Sequence, residues 1–479
     1  MNEQSLSPPA EAPGRDRGVT NRLLLFFALV YVVEGVGQVG GLIAQPLSFY
    51  LKQVHGWTPL QVTAYLAIFN FPWIIKPVYG AFSDFLPLFG YRRKTYLVAA
   101  NLVAAGAFVW ATQLTVPSKL AWALRLTAYA MAISSTVCGA VLVENGRRLG
   151  ESGRFVNQQW LWFNAAAITA AILGGQLVQR LSPTAALHAA AAVVALAPLL
   201  VLSGTIFLVP EKKTRIDLPA LRASFQGLAA ALRTRELWIV GVFLFLYYFS
   251  PGLSTPLYYT MTDSLKFSQS YIGILGSIAS AGWVVGALLY GRLFRDLSSK
   301  RLLNLSIALG TVATAAYLLL SNELSAAVLS LCSGFSAMLA TVATVTLAAD
   351  YCPQRSEGFS FAVMMSIINL ATATADIIGS FLFEHFFHNR LAPLIIVSAA
   401  FTAFAFVLVP LLRLGDKPQG QWVGVVPVGG PKPDHIVRGI VNERVAAGSR
   451  RHRREVTRAA APGAMRIDRN QSSARRHRA

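Results

Sequence analysis

Three ionisable residues lie inside apolar stretches of the sequence, where they could handle charge. Lys76 follows Trp73 in the run FNFPWIIKPVYGAFSD, Glu34 lies in YVVEGVGQVGGL, and Asp376 lies in ATATADIIGS. A lysine at the centre of a membrane helix costs roughly 2.5–3.5 kcal/mol, so an ionisable residue at that depth is a candidate for function. An unpaired carboxyl group there could also carry a proton. These residue types indicate the handling of a small organic solute, with protons as a second partner.

Two prolines flank Lys76 and bear on its surroundings. Pro72 and Pro77 each remove a backbone donor, and the carbonyl groups freed in a membrane helix need water or neighbours. Lys76 precedes Asp84 by eight residues, which is about 12 Å at 1.5 Å per helical residue. We therefore predict that Lys76 faces a wet cavity. The alternative is a lysine that extends to the lipid headgroups.

Polar residues on other helices could complete the site. Glu34 and Arg125 are predicted at similar depth and could form a pair, either for transport or only to lock the structure, with Lys76 as a second possible partner. Asn164 and Asn369 lie near mid-membrane at matching depths. They could contact a solute or only hydrogen-bond between helices. Asp376 is expected on roughly the same helix face as Asn369.

Composition places these residues in a membrane protein. The chain has 479 residues, of which 54% are hydrophobic and 13% charged, whereas a soluble protein carries roughly 25% charged residues. The sequence has no repeated two-residue alternation, which argues against a transmembrane β-barrel. It has no phosphate-binding loop, metal-ligand cluster or nucleophile elbow. We therefore expect no enzyme activity, no cofactor and no metal.

Twelve apolar stretches have the length of about 20 residues that a membrane helix needs. One longer polar connection divides them into six and six. We predict an all-α membrane protein with twelve transmembrane helices in two six-helix bundles. The predicted parts are a disordered N-terminus at 1–21, a first bundle at 22–209, a linker at 210–235, a second bundle at 236–413 and a disordered basic tail at 414–479.

Basic residues predict the orientation and the partners of the tail. One set of helix ends carries twenty Lys or Arg residues, and the other set carries five. By the positive-inside rule, both termini and the linker face the cytoplasm of a plasma membrane. The tail, with its run RRHRREVTR, is expected to meet anionic lipids rather than nucleic acid. We expect a monomer.

Sequence strings around Lys76 resemble a known family. Gly80 to Asp84 fit the G-x-x-x-D motif of the major facilitator superfamily, although three extra residues precede GYRRK. The longer strings PWIIKPVYGAFSDFLPLFGYRRKTY and PQRSEGFSFAVMMSIIN resemble the folate–biopterin transporter family within it. The resemblance implies a secondary transporter that moves a folate or pterin by alternating access. The ring of Trp73 could stack on such a heterocycle.

The resemblance also implies a cytoplasmic gate and leaves two alternatives. Charged residues at the predicted cytoplasmic helix ends would close the inner gate in the outward-facing state: Asp84, Arg92, Arg93, Glu144, Arg147 and Asp350. The family usually carries two aspartates on helix 4, where this chain has Ser135 and Gly139, so its solute could differ. The alternatives are a muropeptide-permease-like carrier and a non-transporting binding or assembly factor that uses the tail on a partner.

Overall fold

The computed structural model describes residues 17–38, 40–214, 226, 232–294, 297–352 and 357–412. Over these ranges the regular structure is helical, apart from one isolated bridge between Leu88 and Tyr91. Ten of the described helices are long and apolar enough to cross a membrane. Residues 1–16, most of the predicted linker, and the tail from residue 413 onward lie outside the described residues.

Twelve membrane spans follow one another in the chain, and we number them in that order. Spans 1, 2 and 7 are interrupted: span 1 is Arg17–Gly37 and Ala44–His55, span 2 is Pro59–Ala67, Phe71–Ile74 and Lys76–Phe85, and span 7 is Arg235–Tyr248 and Ser254–Asp263. Spans 3 to 6 are Lys94–Ala111, Pro117–Leu149, Ser152–Arg180 and Pro183–Leu208. Spans 8 to 12 begin with Gln269–Leu289, Ser299–Ala316, Glu323–Asp350, Glu357–Phe381 and Leu391–Leu408.

Proline and glycine account for the interruptions. Span 2 contains Pro72 and Pro77, and span 7 breaks at Pro251 and Gly252. Proline removes a backbone donor and clashes with the preceding turn, while glycine weakens a helix interior. Because spans 2 and 7 are divided into shorter pieces, ten long helices correspond to the twelve predicted stretches.

The start of span 1 differs from the prediction. The helix begins at Arg17, so residues 17–21, which we predicted to be disordered, are helical. The second segment of span 1 reaches His55, whereas the apolar stretch that predicts this span covers only residues 22–46. Hydropathy ends a stretch at the first polar residues, whereas a helix can carry polar residues such as Lys52 into the membrane interface.

The helices form two halves, spans 1–6 and spans 7–12. In the first half, span 3 packs on spans 4 and 6, and span 1 packs on spans 5 and 6. In the second half, span 10 packs on spans 8 and 9, and span 12 packs on span 9. Span 5 packs against span 8 and span 2 against span 11, so these two pairs join the halves.

Two glycines allow spans 5 and 8 to approach closely. A methyl group on Gly273 would lie 2.5 Å from the carbonyl oxygen of Ala171 and 2.9 Å from the Cα of Gly175. A methyl group on Gly175 would lie 2.8 Å from the carbonyl oxygen of Gln269. Small residues let helix backbones come together in lipid, where packing drives association. This crossing therefore holds the two halves together.

We predict that Gly273→Ala destabilises the protein, because the added methyl group has no space at the crossing. Overpacking of this kind costs about 1–3 kcal/mol, which lowers the melting temperature measured in detergent. Gly106→Ala is the matched control, since a methyl group there meets no atom within 4 Å. Equal melting temperatures for the two variants would contradict the prediction.

Candidate functional site

A bridge of hydrogen bonds connects Glu34 to Lys76 inside the first half. The Oγ of Ser135 donates to Oε1 of Glu34 at 2.9 Å, and Nζ of Lys76 donates to Oγ of Ser135 at 3.3 Å. The lysine ammonium also lies 4.2 Å from the centre of the Trp73 ring, where the ring quadrupole attracts a cation. The structure thus brings together three predicted site residues, Glu34, Lys76 and Trp73. We call Glu34, Ser135 and Lys76 the serine bridge.

Asn369 links the second half to this bridge. Its Nδ2 donates to the carbonyl oxygen of Trp73 at 3.1 Å. In a regular helix that oxygen would accept from the backbone N–H four residues later, but that residue is Pro77, which has none. The proline therefore frees a carbonyl group, and the amide of Asn369 satisfies it across the boundary between the halves.

The two ends of the serine bridge have different surroundings. Glu34 is buried, and its Oε2 has no hydrogen-bond partner among the described residues. The pocket around it has no room for a water molecule. Lys76, Trp73 and Asn369 are only partly buried. The carboxyl end of the bridge is therefore more deeply buried than the residues around the lysine.

The predicted Glu34–Arg125 pair is not present. The guanidinium of Arg125 lies 4.8 Å from the ring centre of Trp122, and Glu34 contacts Ser135 instead. Arg125 and Ser135 are ten residues apart on span 4, which is about 15 Å along a helix. The prediction was wrong because it assumed an apolar core of about 30 Å, whereas span 4 has 33 residues and is about 50 Å long, which places Arg125 far from the middle of the bundle.

Asn164 lies away from the serine bridge, beside a small cavity between spans 5, 8 and 10. Its Nδ2 donates to the carbonyl oxygen of Trp160 at 2.8 Å on its own helix. The rings of Trp160 and Trp283, one from each half, have centres 5.3 Å apart. The cavity that these residues line has a volume of about 90 Å³, which is room for a few water molecules.

Asp376 occupies a separate position at the interruption of span 7. Its Oδ1 accepts from Oγ of Ser254 at 3.4 Å, and the backbone N–H of Gly252 donates to the carbonyl oxygen of Ala375 at 2.9 Å. The broken helix thus packs directly on span 11 beside the aspartate. Unwound backbone of this kind occurs at membrane depth where protein covers it or where it lines a cavity.

Four of the predicted gate residues of the first half form one network. Arg93 pairs with Asp84 at 2.5 Å and with Glu144 at 3.8 Å, and Arg92 pairs with Glu144 at 3.6 Å. We call the end of the bundle that carries this network the basic end. The side chain of Arg147 lies outside the described residues. Asp350, in the second half, accepts from Oγ of Ser299 at 3.4 Å.

At the opposite end of the bundle, polar contacts join the two halves. Lys52 pairs with Asp263 at 2.5 Å, and its ammonium lies 4.3 Å from the ring centre of Tyr259. Further contacts between the halves at this end are Gln45–Gln269, Gln176–Ser270, Thr63–Ser380 and Leu60–Glu384. The ion pairs described at the basic end lie within the first half. The described ion pair between the halves thus lies at the end opposite the basic end.

Comparison with known proteins agrees with this arrangement. A model of the BT1 family matches residues 35–417. The chain belongs to the BT1 family. A folate-biopterin transporter of Synechocystis is 28% identical over 83% of this chain and 82% of its own length. Folate transporter 1 of Plasmodium falciparum is 21% identical over 74% of this chain and 71% of its own length.

Solved structures of major facilitator transporters share the twelve-helix fold. The nucleoside transporter NupG has a TM-score of 0.61 and 14% identity, covering 82% of this chain and 98% of its own. An inward open structure of the E. coli xylose transporter XylE has a TM-score of 0.64 and 12% identity, covering 84% of this chain and 98% of its own. At these identities the likeness establishes the fold.

Glu211 has a structural role in this BT1-family chain that the sequence analysis did not predict. Its Oε1 accepts from the backbone N–H groups of Arg92 and Arg93 at 2.7 and 2.9 Å, and its Oε2 accepts from that of Lys94 at 2.8 Å. A carboxylate at a helix N-terminus satisfies free donors and complements the helix dipole. The signal in the sequence is that GYRRK begins span 3 without a capping side chain of its own.

We predict that Glu211→Ala loosens the start of span 3 and lowers the melting temperature in detergent. Loss of a helix cap costs about 0.5–2 kcal/mol. The neighbouring Lys212→Ala is the control, because Lys212 is exposed and should tolerate the change. A melting temperature for Glu211→Ala that equals that of Lys212→Ala would show that the cap has no energetic role.

Proposed function

We propose that this chain is a secondary transporter that moves a folate or a related pterin-bearing anion by alternating access. The observation that carries the proposal is the ammonium of Lys76, which lies inside the bundle beside Trp73 and takes part in none of the ion pairs among the described residues. Cations inside a membrane bundle face its interior and mark solute pathways. The names of the relatives, which refer to folate and biopterin, support this class of solute.

The aromatic and polar neighbours of Lys76 suit the two parts of such a solute. The ammonium can bind a carboxylate. The ring centre of Trp73 lies 4.2 Å from this ammonium, so the ring could stack on a flat heterocycle of the same solute. Asn369, in the second half, donates a hydrogen bond to the backbone carbonyl group of Trp73. A solute bound at this point would therefore contact both halves, as alternating access requires.

Contacts between the halves support an inward-facing conformation. If the basic end faces the cytoplasm of a plasma membrane, as the positive-inside rule indicates, the joined end faces outside. Opening to the outside would then break the Lys52–Asp263 pair and its neighbours. The Asp263 side chain is 56% exposed, whereas that of Lys52 is only 10% exposed, so opening would have to provide new solvation for a mostly buried ammonium.

Proton coupling is part of the proposal. An anion bound at Lys76 would place negative charge near Glu34 and would therefore favour the neutral form of its carboxyl group. Asp376, beside the broken span 7, is the second candidate for a proton carrier. We expect the protein to act as a monomer, with its basic tail near anionic lipids.

We predict that Lys76→Gln weakens folate binding by about 10- to 100-fold, because a hydrogen bond to a charged group contributes about 1.5–3 kcal/mol. Isothermal titration of the purified protein with folate measures the affinity, and uptake into proteoliposomes measures transport. Lys119→Gln is the control, since Lys119 is exposed at the end of span 4 that lies far from the bridge. Unchanged affinity and uptake in Lys76→Gln would remove Lys76 from the solute site.

A further inference from the structure

Ser135 connects an acidic and a basic side chain inside the first half. Its hydroxyl group donates to Glu34 and accepts from Lys76. Each of these two side chains has its described hydrogen bond with Ser135. The charge of Glu34 therefore acts on Lys76 directly through space, and this hydroxyl group sets the position of both side chains.

The surroundings of Glu34 offer no substitute for the serine hydroxyl. Side chains of spans 1, 4 and 6 line a pocket that cannot admit water: Val30, Val33, Met131, Ser134 and Val201, with Glu34 and Ser135. The other titratable groups that face Glu34 are the phenol of Tyr31 on its own span, the thiol of Cys138 on span 4 and the ammonium of Lys76 on span 2. Among the described residues of spans 5 and 6, no titratable group interacts with Glu34.

These contacts depend on whether Glu34 carries a proton. When the carboxylate is charged, it accepts from Ser135 and attracts Lys76, so the ammonium stays on the serine. When Glu34 is protonated, its negative charge no longer attracts Lys76. The ammonium is then available to an anionic solute, and binding of proton and anion favour each other.

We infer that Ser135 is a positioning residue that makes anion binding at Lys76 depend on protonation of Glu34. The inference rests on the proposed function, because it assumes that Lys76 binds the anion. Removing the hydroxyl in Ser135→Ala would leave a buried carboxylate without its hydrogen bond, which is costly for a charged group. The variant should therefore keep Glu34 protonated and bind the anion equally well at low and high pH.

Isothermal titration with folate at pH 5.5 and pH 7.5 tests the inference on the full-length protein. In the wild type we expect the dissociation constant to rise about tenfold between the two values, a typical coupling between two sites. The dissociation constant of Ser135→Ala should change by less than about threefold between the two pH values and stay near the wild-type value at pH 5.5. The dissociation constant of Glu34→Gln should behave in the same way. Ser135→Thr retains a hydroxyl group and should keep the wild-type dependence, whereas Ser135→Val, of the same shape as threonine, should lose it.

A second measurement keeps the inference testable if Ser135→Ala folds poorly. Titrations of the wild type in buffers of different ionisation enthalpy should detect a proton taken up with folate at pH 7.5, and Ser135→Val should show none. Full pH dependence in Ser135→Ala and Ser135→Val, together with its loss in Glu34→Gln, would overturn the role of Ser135 and leave the proposed function standing. Unchanged folate affinity in Lys76→Gln would remove Lys76 from the solute site and with it this inference, whereas a wild type that binds no folate would overturn the proposed function itself.

Discussion

The cost of burying charge is the constraint on which this structure depends. Glu34 and Lys76 lie in spans 1 and 2, where hydrocarbon would surround any side chain that faced outward, and both are turned toward Ser135. Ionisable residues at such depth must pair, hydrogen-bond or reach a water-filled space. The bridge meets this requirement with one hydroxyl group rather than a direct ion pair. It leaves the ammonium without a carboxylate bound directly to it and therefore able to exchange a protein partner for a solute.

Helix irregularity serves the same site. Pro77 leaves the carbonyl group of Trp73 without its helical N–H donor. The side-chain amide of Asn369, in the second half, donates a hydrogen bond to this carbonyl group instead. The break in span 2 thus provides a polar contact between the halves at the level of Lys76, and the break in span 7 lies beside Asp376. Because lipid cannot satisfy free backbone groups, each interruption must be covered by a neighbouring helix. The broken helices therefore lie where the two halves meet.

The sequence predicts some parts of the molecule well and others not at all. The spans, Glu34, Lys76 and Trp73 follow from hydropathy and from charge in apolar stretches, because these signals are local. The Glu34–Arg125 pair failed because depth counted along two helices does not determine which residues face each other. Ser135 is an ordinary residue in an apolar helix, and its role depends on neighbours from spans 1 and 2 that only the fold brings together. The same holds for Glu211, which is far in the chain from the N–H groups it accepts from.

Access to the serine bridge from one side of the membrane is the central claim, and labelling of Gly139→Cys tests it most directly. Gly139 lies one turn from Ser135 toward the basic end, is partly exposed, and has open space for a side chain. In a background without Cys138, Cys332 and Cys352, a membrane-impermeant thiol reagent should label this cysteine from the side of the membrane that the basic end faces, and folate should slow the reaction. Labelling only by a lipid-soluble reagent, with no protection by folate, would contradict the account.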